Sequence, residues 1–110
     1  MKLPGADKAF VDLAKLRDYC LNPIHPRGRH KARVFAERLA LTATRAETLR
    51  EALLVAARQF PAIPGETDGF GRRFVVEFPM DGPKGPVLIR SSWIVRKDED
   101  FPRLTSCYVA

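Results

Sequence analysis

RRFVVEFPMDGPKGPVLIRSSWIVR, residues 72 to 96, decides the fold. Phe74, Val76 and Phe78 recur at every second position on one side of DGPKGP, and Val87, Ile89, Trp93 and Val95 do so on the other. A period of two places alternate side chains on one face of a strand, and the Pro/Gly-rich centre supplies the turn, so the stretch predicts an antiparallel hairpin with one buried face. On the long second strand Val87, Ile89, Ser91, Trp93 and Val95 share a face, with Trp93 as a core side chain. Leu88, Arg90, Ser92, Ile94 and Arg96 share the other, more polar face, where Arg90 is either a paired structural cation or an oxyanion binder.

A KDEDFP turn then leads to a third strand over Leu104 to Val109. Strict alternation points Leu104, Ser106 and Tyr108 one way and Arg103, Thr105 and Cys107 the other, so that Ser106 and Tyr108 present two hydroxyls side by side. TDGFG (Thr67 to Gly71) lacks the spacing and context of a phosphate loop and reads as a hairpin turn or lead-in loop.

Upstream of Gly65 the period is helical. Asp12 caps a predicted helix over Leu13 to Leu21 that Asn22-Pro23 stops, and after a loop a second helix runs from about His30 to Leu39 with Ala32, Phe35 and Leu39 on one side. Thr44 to Glu47 has the form of a capping box opening a third helix, whose stripe is Leu49, Leu53, Ala56 and Phe60, ended by Pro61 and Pro64. The fold class is therefore α+β: two or three N-terminal helices packed on a C-terminal antiparallel sheet of three or four strands. One domain is expected over residues 1–110, with a helical half at about 12–60 and a sheet half at about 71–109.

Nineteen Lys and Arg against thirteen Asp and Glu give a net charge of +6, which favours polyanions and makes RNA the first partner to test. No stretch has the length of a membrane helix or signal peptide, so a cytoplasmic protein without membrane contact is expected. Cys20 and Cys107 lie at opposite ends without CxxC spacing; reduced, half-buried thiols are expected rather than zinc ligands or a disulfide framework. HExxH, GxSxG and P-loop patterns are missing, so no metal or cofactor is expected.

Chemistry concentrates in NPIHPRGRHKARVF, Asn22 to Phe35, which holds both histidines of the chain. Cleaving RNA without a metal requires proton transfer at the 2′-hydroxyl and the leaving oxygen, which suits histidine, and cations around the phosphate, which suit Lys and Arg. His25 is either such an acid/base group or a turn residue before proline. Lys31, at a helix start where backbone amides favour anions, is the best-placed phosphate cation. Arg27, His30 and Arg33 would add substrate binding or face water, as would Arg29.

DLAKLRDYCLNPIHPRGRHKARVF together with VLIRSSWIVRKDEDFPRLTSCYV resembles a small uncharacterised bacterial domain family with a KLxxYLLNxxHPxGxxKAxxF pattern and a closing RLVTxYP-like strand. Its layout is similar to that of the barnase, EndoU, colicin and RelE superfamily of ribonuclease toxins. That resemblance implies a metal-independent ribonuclease-like domain, a bacterial toxin component with a cognate antitoxin or immunity protein. Carried over by motif, it implies His25 as acid/base, Lys31 and Arg90 as phosphate binders, and Ser106 with Tyr108 as the strand pair. Ser106 stands where the pattern has Thr, which keeps the hydroxyl, and Val109 where it has Pro. The alternative expectation is a non-catalytic module that binds RNA or a protein partner.

Overall fold

The computed structural model describes all 110 residues, and three helices precede a four-stranded sheet. Helix α1 begins at Leu13–Lys15, where the Asp12 carboxylate accepts the Ala14 amide at 2.9 Å. The regular helix expected to Leu21 is not what forms. Leu16–Cys20 widens into a π turn, the Leu21 amide donating to the Leu16 carbonyl at 2.8 Å, and the wider turn lets Leu16, Cys20 and Leu21 all enter the core.

Helix α2, Arg29–Leu39, buries Ala32, Phe35 and Leu39 and ends on Ala40, which takes the left-handed conformation of a helix terminus. Helix α3, Ala46–Gln59, buries Leu49, Leu53 and Ala56 as its stripe predicts, while Phe60 caps its end and packs on Phe78 with ring centroids 6.2 Å apart. The expected capping box does not form. Ala43–Arg45 is a 3₁₀ turn, so Thr44 lies inside it and its hydroxyl pairs with that of Thr42 at 3.0 Å instead of capping α3.

Strands β1 (Ala62–Thr67), β2 (Gly71–Gly82), β3 (Gly85–Arg96) and β4 (Pro102–Val109) lie in the order β1-β2-β3-β4, each antiparallel to its neighbour. β1 moves the start of the sheet half from about 71 to 62. Its prolines read as stops in the sequence, but on an edge strand a missing N–H can face away from the ladder, and beyond Ala62 its residues are exposed. TDGFG makes the β1–β2 turn: Asp68 accepts the Phe70 and Gly71 amides and the Arg73 guanidinium. The β2–β3 hairpin pairs Gly82 with Gly85 around Pro83-Lys84.

The core lies between the helices and one sheet face, where Phe74, Val76, Phe78, Val87, Ile89, Trp93, Leu104 and Cys107 meet Leu16, Phe35, Leu49 and Leu53. Ser91 interrupts that row and is wholly buried. Its hydroxyl donates to the Val76 carbonyl at 2.7 Å and accepts the Trp93 indole N–H at 2.9 Å, so the serine satisfies the tryptophan. Residues 1–10 are tied in: the Ala62 amide donates to the Met1 carbonyl, Leu3 is buried, and Phe10 forms a parallel bridge with Arg103 on the outer edge of β4. No helix is long and apolar enough to cross a membrane.

Candidate functional site

The site begins with a β-bulge. Ser92 faces Ser106, but Trp93 faces Leu104, which leaves Thr105 as an extra residue in β4. Its hydroxyl donates to the Ser92 carbonyl at 3.1 Å, and Lys15 of α1 donates to the Thr105 carbonyl at 3.4 Å. Strict alternation, which put Leu104 on the face of Ser106 and Tyr108, therefore fails here. The bulge lets Leu104 and Cys107 both enter the core and turns Ser106 and Tyr108 to the opposite face, beside Ser92 and Arg90.

On that polar face Glu77, Arg90 and Tyr108 form one row across β2, β3 and β4. Arg90 donates from Nε to Glu77 at 2.9 Å and from Nη1 to the Tyr108 hydroxyl at 3.3 Å. These contacts, the tyrosine hydroxyl first and the carboxylate next, raise the guanidinium pKa and hold it charged. Arg90 is thus paired with Glu77, and its side chain stays 43% exposed beside the tyrosine. Lys31 arrives from the first turn of α2, its Nζ 4.7 Å from the centroid of the Tyr108 ring, and Arg90 Cζ stands 5.9 Å from the same centroid. Lys31 forms no ion pair with a carboxylate. One tyrosine thus gathers a cation from a helix and another from a strand.

The neighbouring row on the same face is Val75, Ser92 and Ser106. It borders a cavity of about 370 Å³ whose lining includes Glu66, Arg73, Val75, Ser92, Thr105 and Ser106. The Ser106 Oγ is buried there and has no hydrogen-bond partner.

His25 is built into its own loop. Asn22 accepts the Ile24 amide at 3.0 Å, and His25 Nδ1 then accepts the Arg27 and Gly28 amides, each at 3.1 Å. The ring stands edge-on to Tyr19 with centroids 4.6 Å apart. With Nδ1 accepting, neutral His25 carries its proton on Nε2. Gly28 has no room for a Cβ, which would collide with the Tyr19 carbonyl oxygen. Thus Lys31, Arg90 and Tyr108 come together with Ser106 one row away, whereas His25 makes no hydrogen bond to any of them. Arg27, His30 and Arg33 are exposed and form neither an ion pair nor a side-chain hydrogen bond.

Cys20 and Cys107, expected half-buried and reduced, are free thiols, fully buried and adjacent. Donation from Cys107, reinforced by the positive charge of Lys15 and Lys31, lowers the Cys20 pKa to about 7, while that hydrogen bond and then burial push Cys107 up. Sequence reading missed this pair because folding alone joins the two ends. It missed Glu77 too, although a signal existed: with Pro83-Lys84 as the turn, Glu77 and Arg90 lie equally far from it and must face each other.

The chain is an α+β domain with three helices on one face of an antiparallel meander, Arg90 and Tyr108 on the other, and Lys31 reaching the tyrosine ring from α2. The chain belongs to the family described as a domain of unknown function, DUF6883, whose model matches residues 2–110. Comparisons with curated proteins and with solved structures return no match.

Proposed function

We propose that the chain is a ribonuclease-like domain that holds an RNA phosphate at Lys31, Arg90 and Tyr108 and cleaves beside it without a metal ion. The observation that carries this reading is the convergence of Lys31 and Arg90 on Tyr108, in a chain of net charge +6. A phosphate on the polar face would find two cations and the Tyr108 hydroxyl, the groups that stabilise charge on a pentavalent phosphorus. Attack by the 2′-hydroxyl forms the bond to phosphorus and breaks the bond to the 5′-oxygen. The proton lost by the first oxygen and the proton gained by the second pass through His25, whose fixed Nδ1 leaves Nε2 as the exchanging atom. Ser106 supplies a further hydroxyl.

Purified protein incubated with tRNA in EDTA is expected to leave fragments ending in 2′,3′-cyclic phosphate, with His25→Ala abolishing and Arg90→Ala strongly reducing the yield. Intact RNA, or a His25→Ala variant as active as the parent, would overturn catalysis. A second reading, RNA binding without turnover, is favoured by the engagement of His25 in its own turn; it predicts salt-sensitive binding with no product. The toxin role adds that cytoplasmic expression arrests growth and that a cognate antitoxin or immunity protein relieves the arrest.

A further inference from the structure

We infer that the cavity beside the tyrosine row is a nucleobase subsite: it takes the base of the nucleotide whose phosphate sits at Lys31, Arg90 and Tyr108. This rests on the phosphate reading above and adds to it what is held next to the phosphate. The first support is an unmet polar group. Ser106 Oγ is buried without a hydrogen-bond partner at a residue that lines the cavity, so its hydrogen-bonding capacity is unmet.

The second support is what surrounds it. Ser92 lies directly opposite Ser106, and its hydroxyl is bound by no other side chain; hydroxyls can donate or accept and so suit the mixed edge of a heterocyclic base. Val75, in the same row, offers apolar contact. Arg73 is held by Asp68 at 3.1 Å, and a fixed planar guanidinium at the cavity wall is suited to lie against a ring. Glu66 places an acceptor at the rim. The lining is mostly polar around one apolar contact, and the volume of about 370 Å³ is large enough for a small ligand.

The third support is spacing. The serine row lies two residues along the strands from the Glu77–Arg90–Tyr108 row, a step of about 6.8 Å. That is comparable to the reach from a phosphate across its ribose to its base. The acceptor groups and hydroxyls make the pocket a poor second phosphate site and a better one for an uncharged ring with hydrogen-bonding edges.

The test compares nucleoside 5′-monophosphates with ribose 5-phosphate, which carries the same phosphate and sugar but no base, by NMR titration of the full chain. The nucleotides are expected to bind at least about tenfold more tightly, Ser106→Ala to lose about three- to tenfold of that advantage through one hydrogen bond, and Ser92→Leu, which fills the cavity from the facing strand, to abolish it while ribose 5-phosphate binds as before. Equal affinity for the two ligands would overturn the subsite and leave the phosphate site standing. A base preference that survives Ser92→Leu in a folded variant would also overturn it. If neither ligand binds, the phosphate reading fails and the subsite with it.

Discussion

Replacing Ser91 by alanine removes one oxygen from the centre of the core and leaves its shape almost unchanged. The hydroxyl is wholly buried and links the Val76 carbonyl at 2.7 Å to the Trp93 indole at 2.9 Å. Leaving the indole N–H unpaired costs about 1 to 3 kcal/mol and losing the bond to the carbonyl about 1 more, so Ser91→Ala should destabilise by about 2 to 4 kcal/mol. For a chain of 110 residues the entropy of unfolding is about 0.23 kcal/mol/K, which converts that loss into a fall in Tm of about 9 to 17 °C. Thermal and urea unfolding followed by far-UV circular dichroism would measure it, with an unchanged urea slope showing that the denatured state is the same. A double-mutant cycle isolates the cause: in a Trp93→Phe background the indole donor is already gone, and Ser91→Ala should cost at least about 1 kcal/mol less than in the parent. Equal losses in both backgrounds, or a loss below about 0.5 kcal/mol in the parent, would refute the view that the serine is there to satisfy the tryptophan.

Binding of single-stranded RNA should weaken with salt, and Arg90→Ala should flatten the slope of log K against log salt by about 0.7, the increment of one phosphate contact, as measured by fluorescence anisotropy. Gly28→Ala forces a Cβ into the Tyr19 carbonyl, so it should lower stability by about 1 to 3 kcal/mol and disturb the His25 ring signals in NMR spectra. Because Cys107 holds the Cys20 pKa at about 7, below the usual value of 9.0, folded protein should show thiolate absorbance at 240 nm near pH 7.5, and Cys107→Ala should move that titration upward. Between pH 7 and 9 the unfolded chain keeps a proton that folded Cys20 has released, so the Cys20 contribution to stability rises with pH in that window and is lost as pH falls through 7; the rise should be smaller in Cys107→Ala.

Local periodicity made the helices and the central hairpin legible, because Phe74, Val76 and Phe78 or Leu49, Leu53 and Ala56 advertise their faces without help from distant residues. β1 was illegible because a proline-bearing edge strand with a single buried residue has no alternation to read. Thr105 could not be recognised as a bulge, since nothing in RLTSCYV marks which residue leaves the ladder; the choice is made by the competing demands of Leu104 and Cys107 for the same core. Lys31, Arg90 and Tyr108 were each legible as candidate residues by charge or hydroxyl. Their meeting depends on that bulge, and Glu77 joins them through hairpin register rather than through any motif.

The first ten residues follow a path with a consequence for the order in which the chain takes shape. They run from the head of β1, where Met1 accepts the Ala62 amide, past Gly5 against Asp100, to the edge of β4, where Phe10 exchanges hydrogen bonds with Pro102 and Leu104. The partners of Gly5 and Phe10 thus lie far along the chain, at residues 100–104, and contacts so distant form slowly. While a ribosome is still making β3, Phe10 has no final place to go. A polypeptide cut short before Asp100 would leave residues 5–10 without these partners, so protease sensitivity there reports whether β4 has arrived.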